Sequence, residues 1–310
     1  MAIDPQLRQF LSDLADAQAP EFNTMSVDDA RAALREMVVS FPATQTIAGS
    51  RDQVIEQGRV SARIYTPNGS GPFPVLLYVH GGGWVIGDLN SYDPICRELC
   101  GAAGCIVVSV DYRLAPEHRF PAAVDDVRSA LRWVIAHCEE IGGDGARIAI
   151  GGDSAGGNLA AITAIDARRS FPGRLCAQLL VYPVTSHVGT PSRSMIENGE
   201  GYLLTRRDMV WFTDHYLGAG HDGRDPRCNL SLVDDLAGLP PALVVTAGFD
   251  PLRDEGEAYA AALEKAGVPV DHSRYESAIH GFLMFFSAFD ISRRLMDEAS
   301  GWLKARFANP

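Results

Sequence analysis

The sequence predicts an α/β fold, in which a mostly parallel central sheet is covered by helices on both faces. Continuous apolar runs indicate strands buried on both sides, because a strand with one wet face would alternate apolar and polar residues. These runs lie at 74–79, 105–110, 148–150, 175–181 and 242–246. The segments between them have helical patterns, near 91–103, 122–137, 157–169 and 252–266. This alternation predicts parallel pairing, with the chemistry at the carboxyl ends of the strands.

Three parts of the chain depart from this alternation. Apolar residues recur at helical spacing through the first forty or so positions, and residues 52–65 resemble two paired strands. The interval that begins at Val184 is too long for a simple connection and contains a helix that Thr205 would cap. We therefore expect N-terminal cap helices at 1–45 and a cap insertion at 184–227. The catalytic domain would consist of two pieces, 46–183 and 228–310.

Composition indicates a globular chain and restricts its partners. Hydrophobic residues make up 46% of the sequence, and the net charge of −12 argues against nucleic acid or an anionic membrane surface as the main partner. No apolar run is long enough to span a membrane, and the first residues lack the pattern of a secretory signal. Cys96 and Cys100 lie one helical turn apart, but no histidine or second cysteine pair completes a metal site. We expect a cytoplasmic protein that needs no metal or cofactor.

Residues 152–156 read Gly-Asp-Ser-Ala-Gly and lie between a predicted strand and a predicted helix. A serine at such a sharp turn is strained, and its hydroxyl is exposed at the carboxyl edge of the sheet. The glycines leave room for the turn, and the helix N-terminus directs backbone N–H groups at a developing negative charge. The pattern predicts that Ser154 is a nucleophile.

A serine hydroxyl needs a base, and the base needs a group that orients it. Asp250 follows an apolar strand, whereas Asp254 and Glu255 fall in the first turn of the next helix, where a favourable dipole interaction explains them. His272 lies within a strand-like segment. His280 follows in the loop 277–281, where its ring could reach over the sheet edge. We therefore predict Asp250 as the orienting acid and His280 as the base.

The segment His-Gly-Gly-Gly-Trp at 80–84 directly follows another apolar strand. Consecutive glycines leave backbone N–H groups accessible, and this loop position supplies oxyanion donors in such sheets. We expect the amides of Gly82, Gly83 and Ala155 to form an oxyanion hole. The three glycines lack the spacing of a dinucleotide-binding loop.

With these motifs in this order, the chain resembles the bacterial hormone-sensitive-lipase-like family of α/β-hydrolases. The matching blocks lie at 80–84, 111–118, 120–123, 152–157, 250–256 and 280–282. The resemblance implies an α/β-hydrolase fold with a helical cap, and the same catalytic and oxyanion residues. It implies hydrolysis of small carboxylic esters with short to medium acyl chains, and often a dimer. It also implies that residues 112–123, Asp153 and Asp254 support the site.

The substrate pocket is predicted from neighbours of these motifs. Trp84 and Ile279 flank the oxyanion loop and the base, while Trp211 and Phe212 would contribute from the cap. The same catalytic residues would also serve a hydrolase of lactones, acetylated sugars, amides or carbamates. A non-catalytic ligand receptor would be expected to lack one of them. A homodimer could pair through the edge strand near 268–275.

Overall fold

The computed structural model describes residues 2–55, 60–186, 192–218 and 220–309. Within these residues, eight strands form one sheet in the order β1-β2-β4-β3-β5-β6-β7-β8. β2 runs antiparallel to β1 and β4, and the other neighbours are parallel. The strands are β1 Gly49–Ile55, β2 Val60–Thr66, β3 Phe73–Val79, β4 Ile106–Asp111, β5 Gly143–Asp153, β6 Leu175–Val181, β7 Ala242–Phe249 and β8 Val270–Ile279. The predicted α/β class with a mostly parallel sheet is confirmed.

Helices alternate with the parallel strands as the sequence predicts. In the described part of the chain they are α1 Pro5–Asp16, α2 Val27–Val39, α3 Asp93–Ala103, α4 Ala122–His137, α5 Ala155–Ser170, α6 Arg193–Glu197, α7 Arg206–Leu217, α8 Arg253–Lys265 and α9 Asp290–Ala308. The long C-terminal α9 was not predicted, and β5 extends several residues beyond the predicted apolar run on both sides. No helix of the described ranges is long and apolar enough to cross a bilayer.

The parallel strands bring four chemically important positions to one edge of the sheet. β3 and the second half of β5 are buried on both faces, so the connections that follow them start from a rigid base. His80 follows β3, Ser154 follows β5, Asp250 follows β7 and His280 follows β8. Residues that are up to 200 positions apart along the chain (80 and 280) therefore meet at the carboxyl ends of their strands.

The N-terminal segment contacts α7 above this edge. Thr205 and Asp208 form the capping box that begins α7, and the Asp208 carboxylate also accepts a hydrogen bond from the backbone N–H of Asn23 at 2.9 Å. The rings of Phe22 and Phe212 lie 5.9 Å apart. The turn between α1 and α2 and the helix α7 thus form one surface over the sheet edge.

Candidate active site

Ser154 occupies a sharp turn between β5 and α5. Its backbone has φ of 54° and ψ of −120°, a conformation that a residue with a side chain rarely adopts. The Ser154 N–H donates to the carbonyl oxygen of Val181 at 2.9 Å, which ties the turn to β6. A Cβ atom at Gly152 or Gly156 would collide with the carbonyl oxygen of Val79. The two glycines therefore allow the turn to pack against the end of β3.

The hydroxyl of Ser154 lies at the end of a hydrogen-bonded chain of three side chains. His280 Nε2 is 2.9 Å from Ser154 Oγ, and His280 Nδ1 is 2.7 Å from Asp250 Oδ2. The ionised carboxylate of Asp250 can only accept hydrogen bonds, so the proton of the His280 ring lies on Nδ1. His280 Nε2 is then free to accept a hydrogen bond from the Ser154 hydroxyl. The other oxygen of Asp250 accepts the Leu252 N–H at 2.8 Å. The carboxylate is completely buried, so its orientation is fixed by these partners.

His280 is placed differently from the expectation of a loop over 277–281. β8 continues to Ile279, and His280 follows it directly. The register between β7 and β8 shifts near Gly248, after which Phe249 pairs with Ile279. A side chain at Gly248 would collide with the backbone of β8, so glycine permits this close approach. The imidazole of His280 is consequently held by a strand end, which positions it more rigidly than a loop would.

The other candidate acids and the other candidate base bind elsewhere. Asp254 accepts the Ser194 N–H at 2.7 Å, and Glu255 accepts the Thr185 N–H at 2.8 Å. Both carboxylates lie in the first turn of α8, as the sequence indicates. They also hold two backbone positions, Thr185 and Ser194, against that helix. His272 lies within β8 and forms a hydrogen bond with a threonine hydroxyl of β7 at 3.1 Å.

The glycine loop after β3 faces Ser154 across a cavity. Gly82 and Gly83 line the cavity together with Ser154. Their φ values are 104° and 58°, and Trp84 follows with a φ of 60°. The Gly82 carbonyl accepts from the N–H groups of residues 85 and 86, which closes the turn. Ala155 begins α5, where first-turn N–H groups have no partner within the helix.

Asp153 connects this loop to the turn that carries Ser154. Its carboxylate accepts hydrogen bonds from the Tyr78 hydroxyl at 2.9 Å, the Tyr92 hydroxyl at 3.0 Å and the Gly81 N–H at 3.1 Å. Burial raises the pKa of Asp153 to about 6, although these donors and His280 favour the charged form. The resemblance implied a supporting role, and the three bonds provide a physical basis for one.

His80 is neutral and buried beneath the same loop. Its ring stacks on Tyr112 with centroids 4.3 Å apart, and its Nδ1 is 2.7 Å from the Gly81 carbonyl oxygen. Burial lowers the pKa of His80 to about 4. The Tyr112 hydroxyl donates to the His80 carbonyl oxygen at 3.0 Å. The histidine and the tyrosine therefore support the loop from the side away from the cavity.

The cavity in front of Ser154 has a volume of about 80 Å³ and mainly apolar walls. Of the predicted pocket residues, Trp84 and Phe212 line it. Ile279 and Trp211 are not among its described lining residues. Ile279 is fully buried in the sheet opposite Phe249, and Trp211 packs edge-on against Phe212 with centroids 5.0 Å apart. Adjacency in sequence to the base or to Phe212 did not determine which way these side chains face.

Several lining residues were not predicted as site residues. Phe22, Leu34 and Met37 come from the N-terminal segment, Leu203 and Leu204 from the residues before α7, and Met209 from α7 itself. The connections that follow β3, β6 and β8 contribute Ile86, Tyr92, Tyr182, Val184 and Met284. Leu34 and Met37 belong to the apolar stripe of α2 that the sequence does show. That stripe indicates a buried face, but the surface that covers it depends on tertiary packing.

No group of three or more metal-binding side chains is arranged to hold an ion within the described ranges. The six cysteines are free thiols, and five of them are buried. Burial raises the pKa of Cys96 above its usual range, so its thiol stays protonated. These cysteines behave as small apolar side chains of the core.

Comparison with known proteins assigns the family. The sequence model of a family described as the alpha/beta hydrolase fold matches residues 76–284. The chain belongs to the hormone-sensitive-lipase-like family of α/β-hydrolases. The matched span includes the glycine loop, the serine turn, Asp250 and His280. The cavity walls from Phe22, Leu34 and Met37 lie before it.

Relatives of this α/β-hydrolase match nearly its whole length. It is 43% identical to the carboxylic ester hydrolase LipN of Mycobacterium tuberculosis, over 92% of this chain and 78% of the relative. It is 35% identical to the ethyl acetate hydrolase of Pseudomonas putida, over 94% and 95% of the two chains. The solved structure of a hyperthermophilic esterase from Pyrobaculum calidifontis superposes with a TM-score of 0.93 at 40% identity, covering 98% of this chain and 99% of that one.

Proposed function

We propose that this serine carboxylesterase hydrolyses short- to medium-chain carboxylic esters through an acyl-enzyme intermediate on Ser154. The observation that carries the proposal is the continuous contact from Asp250 through His280 to Ser154, at 2.7 and 2.9 Å. Relatives named as ester hydrolases support the same chemistry. In this proposal Ser154 is the nucleophile, His280 the base and Asp250 the orienting acid, and their hydrogen bonds support these roles.

The first half of the reaction forms the acyl-enzyme. Ser154 Oγ attacks the ester carbonyl carbon while His280 Nε2 takes the hydroxyl proton. Asp250 keeps the imidazole in the tautomer with Nδ1 protonated and stabilises its positive charge. The tetrahedral intermediate then breaks the bond to the alcohol oxygen, and the Nε2 proton passes to that oxygen. The acyl group remains on Ser154 and the alcohol leaves.

The second half restores the serine. A water molecule gives a proton to His280 Nε2 and attacks the acyl carbon. The second tetrahedral intermediate expels Ser154 Oγ, which recovers the proton from His280. In both halves the oxyanion would accept hydrogen bonds from the N–H groups of Gly82, Gly83 and Ala155. Loss of one such donor costs on the order of 10²–10³ in kcat in comparable sites.

The size of the cavity supports a short acyl group. A volume of about 80 Å³ has room for roughly five water-sized groups, and its walls offer little polarity apart from the catalytic residues. The rings of Phe212 and Trp84 would bound this space, since both residues line it.

Further parts of the proposal concern organisation and location. The division into cap helices at 1–45, a cap insertion at 184–227 and a catalytic domain between and after them is supported by the contact of Phe22 with Phe212. A cytoplasmic location is supported by the six free thiols, which persist in a reducing compartment. A homodimer would pair through β8, which lies at the edge of the sheet.

Steady-state hydrolysis with a burst measurement tests this function. The wild-type chain should release p-nitrophenol from p-nitrophenyl acetate and butanoate in a burst followed by turnover. Ser154→Ala should remove both phases, whereas Ser12→Ala, at an exposed position of α1, should retain them. A lactone and an anilide assayed in parallel would reveal a related hydrolase. Turnover by Ser154→Ala at the wild-type rate would refute the proposal.

A further inference from the structure

A second, larger cavity adjoins the one in front of Ser154. This cap groove has a volume of about 1040 Å³ and lies between α1, the 19–26 turn, α2 and residues 201–205. Phe22, Met37 and Leu203 line both the catalytic cavity and the groove. These three side chains therefore form the boundary between the groove and the catalytic cavity that contains Ser154.

The two volumes differ in what they can hold. Sites for small molecules usually have volumes of about 300–1,000 Å³. The catalytic cavity, at about 80 Å³, is well below that range, while the cap groove, at about 1040 Å³, slightly exceeds its upper limit. An ester whose carbonyl lies beside Ser154 can place a small substituent in the catalytic cavity. A longer substituent must extend past Phe22, Met37 and Leu203 into the groove.

The walls of the groove fit an uncharged hydrocarbon chain. Its floor contains apolar side chains that the fold leaves only half-buried, including Phe10, Leu14 and Met25. Buried apolar surface is favourable at about 25 cal/mol per Å², so covering these side chains would contribute to binding. Their incomplete burial is consistent with a surface that a ligand covers.

The charged side chains that line the groove are all acidic. Glu21, Asp29 and Glu36 contribute to its lining, and no lysine or arginine is among the described lining residues. Arg207 pairs with Glu21 at 2.9 Å and offsets one carboxylate, but Asp29 and Glu36 remain. A substrate chain that ends in a carboxylate would approach these like charges at a cost.

We infer that the cap groove binds the long, uncharged hydrocarbon chain of an ester whose other substituent is small. The inference depends on the proposed ester hydrolysis and adds a substrate class to it. The chain can belong to the acyl group or to the alcohol, since both join the same carbonyl centre at the boundary formed by Phe22, Met37 and Leu203. Chains that end in a carboxylate are selected against.

A tryptophan placed in the groove tests this inference. Ala33 of α2 lines the groove but not the catalytic cavity, so Ala33→Trp should obstruct the groove. Val39 of the same helix is 80% exposed and outside the groove lining, so Val39→Trp is the matched control. The measured quantity is the ratio of kcat/KM for a long ester to that for a short one, below the critical micelle concentration. This ratio does not depend on the fraction of enzyme that is folded.

Two substrate series identify the source of the chain, namely methyl acetate against methyl decanoate and ethyl acetate against decyl acetate. Ala33→Trp should lower the ratio at least about tenfold in one series, because each buried methylene contributes a factor of about four. Val39→Trp should keep the wild-type ratio. A methyl monoester whose acyl chain ends in a carboxylate should react more slowly than the methyl ester whose acyl chain ends in a methyl group, and Glu36→Gln should narrow that difference in rate.

The outcomes separate the two proposals. If Ala33→Trp and Val39→Trp give the same ratios as the wild type in both series, the groove inference is wrong while ester hydrolysis stands. A wild-type enzyme that hydrolyses acetate esters but turns over neither long ester also contradicts the inference. A wild-type enzyme that hydrolyses no ester in either series contradicts the proposed function itself.

Discussion

The carboxylate of Asp153 accepts a hydrogen bond from the backbone N–H of Gly81 at 3.1 Å. The residue before Ser154, the proposed nucleophile, therefore holds the loop that carries the proposed oxyanion donors. This contact fixes the distance between two segments that the reaction requires to be in register, the serine turn after β5 and the glycine loop after β3.

The buried Asp153 should make stability depend on pH in a defined direction. Its pKa is raised from 3.8 to about 6, so between these values the folded chain binds more protons than the unfolded chain. Stability from this group is therefore lost as pH rises through that window. Between about pH 5 and pH 7.5 the wild type should lose roughly 1–1.5 kcal/mol of unfolding free energy relative to Asp153→Asn.

Urea unfolding of both chains at the two pH values measures this difference. The exposed Asp16→Asn serves as the control and should show no such trend relative to the wild type. A stability difference between wild type and Asp153→Asn that stays constant over this range would contradict the assignment.

A methyl group at Gly83 should disturb the oxyanion loop. Its Cβ would overlap the ring of Phe212, and the backbone there has a φ of 58°. Displacement of the Gly83 N–H should lower kcat by on the order of 10²–10³. Gly104→Ala is a matched control, because Gly104 has a φ of 66° but open space around the added atom. Gly104→Ala should have the same kind of backbone strain as Gly83→Ala but keep the kcat of the wild type.

The double variant Gly83→Ala with Phe212→Ala distinguishes the clash from the strain. Removal of the ring leaves room for the added methyl group, so part of kcat should return. If Gly83→Ala alone is as active as the wild type, the Gly83 amide does not belong to the oxyanion hole.

Asn158 should be required to hold the base of the 184–227 segment against the serine turn. Its side-chain N–H₂ donates to the carbonyl oxygens of Val184 at 2.9 Å and Cys228 at 3.0 Å. Val184 in turn donates its own N–H to the Ser154 carbonyl at 3.2 Å. Asn158→Asp replaces the donor with an oxygen that faces two other oxygens, which should lower the unfolding free energy by about 3 kcal/mol or more and also lower kcat/KM.

Gln178 provides the comparison for this substitution. Its side-chain N–H₂ donates to the Pro240 carbonyl at 2.9 Å, away from the serine turn. Gln178→Glu should therefore reduce stability but preserve kcat/KM of the folded enzyme, as measured by active-site titration with steady-state kinetics. If Asn158→Asp lowers kcat/KM no more than Gln178→Glu does, the contact of Asn158 with the serine turn has no specific effect on the reaction, and Asn158 contributes to stability alone.

The sequence predicted those features that depend on local pattern. The serine turn, Asp250 and the glycine loop each directly follow a strand that is buried on both faces, so a short apolar run and the residues after it were sufficient. The contact of His280 with Ser154 and Asp250 agrees with the predicted assignment of this histidine as the base. Its place at the end of β8 was not predicted, because the register shift near Gly248 arises from pairing between β7 and β8.

Side-chain direction in the cavity was less predictable. Trp84 and Phe212 line the cavity, whereas Ile279 and Trp211 do not. In the sequence the two pairs look alike, because each contains one neighbour of a catalytic motif and one aromatic residue of α7. The walls supplied by Phe22 and Met37 require the N-terminal segment to pack over the sheet edge. Such packing between distant segments leaves no signal in a single sequence beyond an amphipathic stripe.

Covalent labelling tests the central claim most directly. A fluorophosphonate should form one adduct with the wild-type chain, and peptide mapping by mass spectrometry should locate it on Ser154. The labelling rate should fall by orders of magnitude in His280→Ala, because the hydroxyl then has no base. An adduct on a different residue, or a His280→Ala chain that labels at the wild-type rate, would contradict the account.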